Sequence, residues 1–199
     1  MSEHYLTNLF APKSVAIIGA SEREGALGRF VFENMRQAPY QGQLYAVNPK
    51  YTSVFGAPCY SDVSELPATP DVIVIATPAN TVREIVRIAG SAGVKFVVVL
   101  SAGFAEIGEE GKKRARQLDV ELKRYGMRML GPNCVGIMRP SIGLNATFAS
   151  APARPGPLAL ISQSGAVCTA ILDWAAASKP AIRRKIQQYA ECVIWHKPK

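Results

Sequence analysis

Small, hydroxyl and amide residues recur along this chain, each group directly after a short apolar run. The first is Gly19-Ala20-Ser21, followed by Gly25 and Gly28. Glycine admits close backbone approach and positive φ. A helix opening behind such a turn offers free N–H groups and the positive end of its dipole, which suits phosphate. The spacing departs from GxGxxG, so the turn reads as a generic phosphate turn, as a divergent dinucleotide turn, or as a glycine-rich loop that holds nothing. Asn48-Pro49-Lys50 comes next. A dinucleotide site normally has an acid here for the ribose hydroxyls, yet from this turn onward no acid occurs before Asp62. Lys50 suits a phosphorylated ribose or another anion, or is a lone surface lysine. Thr77-Pro78-Ala79-Asn80, Ser101-Ala102-Gly103 and Gly131-Pro132-Asn133-Cys134-Val135-Gly136 continue the series. Ser162-Gln163-Ser164-Gly165 ends it, either as a second anion turn or as simple N-capping.

The elements that must carry these turns follow from the apolar runs. Strands are expected at 14–19, 43–47, 71–76, 96–100, 127–130 and 158–162. Several are unbroken Val/Ile/Leu runs, the pattern of strands covered on both faces in a parallel sheet. Helices are expected at 27–37, 81–92, 109–125 and 166–177, with Gly126 closing the third. Thr81 and Glu84 have capping-box spacing, although Thr77-Pro78 is an alternative start for that helix. The order predicts a doubly wound α/β fold, a Rossmann-like parallel sheet with right-handed crossovers. Ligands of such sheets sit outside the carboxyl ends of the strands, where all these turns fall.

Three prolines and a glycine within "SAPARPGP" mark a linker at 150–157. The reading is therefore a first domain over residues 1–150 and a linker with the first βα unit of a second domain over 151–178. A basic tail over 179–199 departs from the α/β rhythm. No clear strand is expected in that tail; it reads as an amphipathic terminal helix or as altered coding of a longer protein.

Composition narrows the function classes. Of the 199 residues, 48% are hydrophobic and 19% charged, which supports a core and excludes a disordered polyelectrolyte. No apolar run reaches the length of a membrane span, and the N-terminus lacks a signal-peptide pattern. A cytoplasmic protein without membrane contact is expected. Cys59, Cys134, Cys168 and Cys192 have no CxxC spacing and no nearby histidine, so no metal site is expected. The net charge of +8 invites a nucleic-acid reading, but residues 179–199 carry +5 of it, and no nucleic-acid partner is expected.

Taken in order, LFAPKSVAIIGAS, VNPK, DVIVIATPA, SAGFAEIGEEG, GPNCVGI, LNATFA and LALISQSGA resemble the start of the NDP-forming acyl-CoA synthetases. Succinyl-CoA synthetase α subunits and certain large protein acetyltransferases are relatives of that family. The resemblance covers roughly residues 5–178. It implies a coenzyme A or acyl-CoA site on the first domain. Gly19, Ala20 and Ser21 would approach the phosphates, and Lys50 would sit by the nucleotide end. Thr77–Asn80 and Ser101–Gly103 would line the path, with Asn133 near the thiol. It also implies a flavodoxin-like second domain whose helix after Ser162–Gly165 faces a transferred phosphoryl group. The family reaction converts acyl-CoA, phosphate and a nucleoside diphosphate to acid, CoA and a triphosphate, through an acyl phosphate and a phosphohistidine. Neither His4 nor His196 matches that histidine, and ATP or ADP would enter only through an ATP-grasp domain that this sequence lacks. The chain is thus expected to bind CoA as a module, with a second subunit or further domains completing the reaction. Cys134 is expected to pack or line the site, since no adjacent base would activate it. The competing reading is an NAD(P)-linked oxidoreductase with Lys50 on an NADP phosphate, although no hydride-transfer machinery is visible.

Overall fold

Residues 5–150, 152–155, 159–177 and 191–194 are described by the computed structural model, 175–177 and 191–194 as backbone. A short helix α1 (Thr7–Phe10) precedes β1 (Ser14–Ile18), α2 (Leu27–Gln37) and β2 (Gln43–Val47). The hairpin β3 (Ser53–Val54) and β4 (Ala57–Tyr60) follows, then β5 (Val72–Ile75), α3 (Ala79–Ser91), β6 (Phe96–Val99), α4 (Glu109–Tyr125) and β7 (Arg128–Leu130). The remaining elements are β8 (Gly136–Arg139), β9 (Leu144–Thr147), β10 (Ala159–Ser162), α5 (Gly165–Ala177) and β11 (Glu191–Ile194).

The main sheet has the order β3-β4-β2-β1-β5-β6-β7. Only β3 runs antiparallel, against β4. Counted among themselves, the six parallel strands stand in the order 3-2-1-4-5-6, the doubly wound Rossmann arrangement. Strand order reverses between β1 and β5, which pair in parallel from Val15↔Val72 to Ile18↔Ile75. Alternate residues of each strand enter opposite layers. Val15, Ile17, Val72 and Val74 pack on Val31, Phe32 and Met35 of α2. Ala16, Ile18, Ile73 and Ile75 pack on Val82 and Val86 of α3 and Leu118 and Leu122 of α4. Both faces are covered, which is why these runs are continuous rather than alternating. At the amino rim, the Asp71 carboxylate accepts from the Lys13 and Ser14 amides at 2.7 and 3.2 Å. The Asp71 amide donates to Ser14 Oγ at 3.0 Å, so this register is pinned from both sides.

Three local outcomes differ from expectation. Helix α3 starts at Ala79 with Pro78 as its N-cap, the Thr77-Pro78 start rather than the one at Thr81, and no side chain caps it. Proline presets φ and has no N–H to satisfy. The Thr81–Glu84 box is not made: Thr81 Oγ1 donates to the Pro78 carbonyl at 2.8 Å, and Glu84 pairs with Arg87. Hairpins at 53–60 and 136–147 were not anticipated, because strands of two to four residues are too short to show a period. Finally, the tail does hold a strand. Backbone of β11 pairs in parallel with β10 and antiparallel with β8. The run Cys192-Val193-Ile194 is β-prone but too brief to stand out. The second sheet, β10-β11-β8-β9, thus draws strands from both sides of the proline-rich stretch. Its β9 end is fixed to α2, where Asn34 Nδ2 donates to the carbonyls of Thr147 and Ala149 at 2.8 and 3.1 Å. The amphipathic helix expected elsewhere in the tail lies outside the described residues.

Candidate functional site

The glycine-rich turn after β1 is built by close approach. Gly19 has φ +93°, and its amide donates to the Val47 carbonyl at 2.8 Å. A Cβ on Gly28 would fall 1.9 Å from the Gly19 carbonyl oxygen, so the first turn of α2 rests directly on the strand end. Ala20 is fully buried, and its carbonyl accepts from Asn48 Nδ2 at 2.8 Å. Asn48 Oδ1 accepts from the Lys50 amide at 3.0 Å, so one side chain ties the turns after β1 and β2 together. Ser21 Oγ accepts from the Arg23 amide at 3.0 Å. Helix α2 has Ala26 as N-cap and no side-chain cap; the Arg29 and Phe30 amides donate to the Ala26 carbonyl, which leaves those of Leu27 and Gly28 to partners outside the helix.

A cleft of about 690 Å³ opens where the strand order reverses. That size suits a cofactor. Gly19, Ser21, Arg23 and Gly28 form one wall, and Val47 to Tyr51 form the next. Ala76, Thr77, Pro78 and Thr81 form the floor, while Ser61, Asp62, Val63, Ile85 and Ile88 close the far side. Two cations, several hydroxyls and an apolar wall therefore face one space. This arrangement can hold a phosphorylated ligand with a flat apolar part.

Of the residues expected at the site, Gly19, Ser21, Gly28, Asn48, Lys50, Thr77 and Pro78 line this cleft. Ala20 lies beneath it, and Gly25 supplies the turn's second positive φ, +70°. Ala79 is buried at the start of α3, and Asn80 is exposed beside it. Ser101, Ala102, Gly103 and Asn133 sit at the next strand ends, outside the cleft lining. They are bonded locally: Ser101 Oγ donates to the Thr77 carbonyl at 2.5 Å, and the Asn133 amide donates to the Ser101 carbonyl at 3.0 Å. The Gly103 amide donates to Glu106 Oε1 at 2.6 Å, and Arg114 Nη1 donates to the Gly103 carbonyl.

Ser162, Ser164 and Gly165 belong to the smaller sheet and α5, apart from the cleft. Ser162 Oγ accepts from the Ser164 amide at 3.0 Å, and Ser164 Oγ from the Val167 amide at 3.3 Å. Both hydroxyls therefore serve as local caps. Gly165 is needed for packing, because a Cβ there would meet Val135 Cγ2 at 2.7 Å.

Cys134 is buried. Its Sγ faces the Val99 carbonyl at 3.3 Å, and burial pushes its pKa up to about 12.

Sequence reasoning missed Arg23, Tyr51, Asp62, Val63, Ile85 and Ile88 as cleft residues. Ile85 falls on the helical stripe with Val82 and Val86, yet only those two are fully buried, and Ile85 faces the cleft. Asp62 follows β4, a strand too short to be seen in the sequence. It brings an acid to the cleft from the strand beside β2.

Comparison with known proteins adds an independent line. The family model described as a CoA binding domain matches residues 13–140. The chain is 43% identical over 169 residues to the ADP-forming acetate–CoA ligase I of Archaeoglobus fulgidus, covering 85% of this chain and 24% of that one. It is 44% identical over 173 residues to the α subunit of the ADP-forming acetate–CoA ligase I of Pyrococcus furiosus, covering 85% and 37%. A solved acetyl-coenzyme A synthetase 1 of Ca. Korarchaeum cryptofilum, in complex with phosphate and ADP, superposes with a TM-score of 0.86 at 33% identity. That match covers 96% of this chain and 39% of the other. The chain thus spans 24% to 37% of the length of these curated relatives.

Proposed function

The chain belongs to the CoA-binding domain family, and from that membership we propose that the cleft between the ends of β1 and β5 is its coenzyme A site. The observation that carries this reading is the span of the family match. Residues 13–140 include the whole seven-stranded sheet and every residue that lines the cleft.

In this reading the pyrophosphate lies against Gly19, Ala20 and Ser21 and the uncapped start of α2, where backbone amides and the helix dipole favour negative charge. Gly25 and Gly28 give that turn its shape. Lys50, held by Asn48, and Arg23 meet the phosphate of the nucleotide end. Val63, Ile85 and Ile88 offer the apolar wall that an adenine ring requires. The pantetheine arm runs past Thr77–Asn80 toward Ser101–Gly103, and Asn133 stands nearest the thiol. Coenzyme A supplies the thiol that carries the acyl group; this domain holds and orients it.

The wider reaction follows from kinship and is proposed for the assembly in which the domain works. That reaction is acyl-CoA synthesis or cleavage coupled to phosphate and a nucleoside diphosphate, as in the ADP-forming ligases. Ser162, Ser164 and Gly165 are proposed to face its phosphoryl group. The remaining machinery, including the phosphohistidine and the nucleotide site, comes from further domains or a second subunit, and the assembly is placed in the cytoplasm. Among the described residues, no helix is long and apolar enough to cross a membrane.

One observation favours a dinucleotide instead, namely Asp62 on the cleft wall. However, Asp62 Oδ1 already caps the turn behind it, accepting from the Ser64 amide at 2.6 Å. Calorimetric titration with CoA, dephospho-CoA, NADH and NADPH separates the two. The proposal expects CoA to bind tightest; tighter binding of NADH or NADPH would reverse it.

A further inference from the structure

The structure assigns to Phe55 the task of positioning the glycine-rich turn, an inference that rests on the reading of that turn as the phosphate-binding element. Phe55 and Gly56 form the two-residue link between β3 and β4, with φ of +49° and +75°. Turns with two positive φ values favour Asn-Gly or Asp-Gly. A bulky aromatic in the left-handed region is an outlier. Turn chemistry does not account for it; its contacts do.

Three residues on one face of α2 meet the Phe55 ring. The guanidinium carbons of Arg29 and Arg36 stand 5.6 and 5.7 Å from its centroid, and Phe32 stacks on it at 6.4 Å. The Arg36 Nη1 donates to the Phe55 carbonyl at 2.9 Å. The Phe55 amide, in turn, donates to Glu22 Oε1 at 2.5 Å. Glu22 lies inside the turn, between the cleft residues Ser21 and Arg23. Its carbonyl accepts from Arg29 Nη1 at 2.7 Å. The hairpin tip therefore clips the exposed outer side of the turn to α2, while Asn48 and Gly28 hold its inner side. Left-handed backbone at Phe55 directs the amide at Glu22 and the ring at the two arginines together. With both sides fixed, the turn's amides are set before a phosphate arrives, and binding does not have to order them.

The test compares wild type with Phe55→Gly, Phe55→Tyr and Glu22→Ala in the full chain, by CoA calorimetry and by amide hydrogen exchange without ligand. Phe55→Gly keeps the positive φ and removes the ring; Glu22→Ala removes the amide's acceptor. Both are expected to raise the CoA dissociation constant about tenfold and to speed exchange at residues 21–26 while β1 and β5 stay protected. Phe55→Tyr, which keeps the ring, keeps wild-type affinity. Unchanged affinity in both disrupting variants overturns the assignment, as does faster exchange across the whole sheet, which marks a purely structural role. If Phe55→Gly does not fold, Glu22→Ala decides alone. If wild type binds no CoA, the proposed function falls, and the exchange data still decide whether the clip holds the turn.

Discussion

Single atoms decide much of this site. The hydrogen at the α-carbon of Gly28 is all that fits, with the Gly19 carbonyl oxygen 1.9 Å from any added Cβ and the rest of that peptide behind it. Gly28→Ala is therefore expected to cost about 1–3 kcal/mol in chemical denaturation and to weaken CoA binding, because the turn must move. Lys50→Ala is expected to weaken CoA by about tenfold and dephospho-CoA far less, since only CoA carries the 3′-phosphate; calorimetry with both ligands reads the difference. Cys134 makes a pH prediction. Folding raises its pKa from 9.0 to about 12 by burial. Between those values the unfolded thiol has lost its proton and the native one has not, so the native state is penalised as pH rises. The stabilisation is complete below about pH 9 and declines above it. Urea midpoints at about pH 8 and about pH 10.5 should therefore fall more steeply in wild type than in Cys134→Ala.

Pairs of elements hold the frame on which those atoms sit. Helices α3 and α4 meet across a lopsided ion pair. Arg83 donates through Nε and Nη2 to Glu121 Oε1 at 3.1 and 2.8 Å. The Arg83 side chain is 52% exposed and that of Glu121 only 4%. Glu121 Oε2 has no hydrogen-bond partner among the described residues. Arg83→Met strands a buried carboxylate and is expected to cost about 1–3 kcal/mol by thermal unfolding. The double variant Arg83→Met with Glu121→Leu should recover that loss, because an apolar pair needs no solvation. The same scale explains what the sequence disclosed. Strands β1, β5 and β6 were legible because burial on both faces writes unbroken Val/Ile runs. Gly126 was legible because a left-handed C-cap, φ +62°, asks for glycine. The hairpin β3–β4 was not, and with it went Asp62 and the Phe55 clip, because pairing between chain neighbours in space leaves no local period. The hydroxyl of Thr81 shows the converse: capping-box spacing was present, and Pro78 claimed the helix start.

At the scale of the whole molecule, the doubly wound order turns scattered turns into one rim. Gly19, Asn48 and Thr77 follow β1, β2 and β5, three neighbouring strands of the sheet, and only the reversal of strand order between β1 and β5 brings them around a single cleft. Cations on that rim act on an anionic ligand through solvent, so CoA affinity should decline as salt shortens the screening length to below about 10 Å. The most direct measurement is a CoA titration followed through the backbone amide resonances of the full chain. The account predicts saturable shifts concentrated at residues 19–28, 47–51 and 76–81, the walls of the cleft. Saturable shifts that leave those three segments unmoved, or the absence of any shift in a folded sample at high CoA, would contradict it.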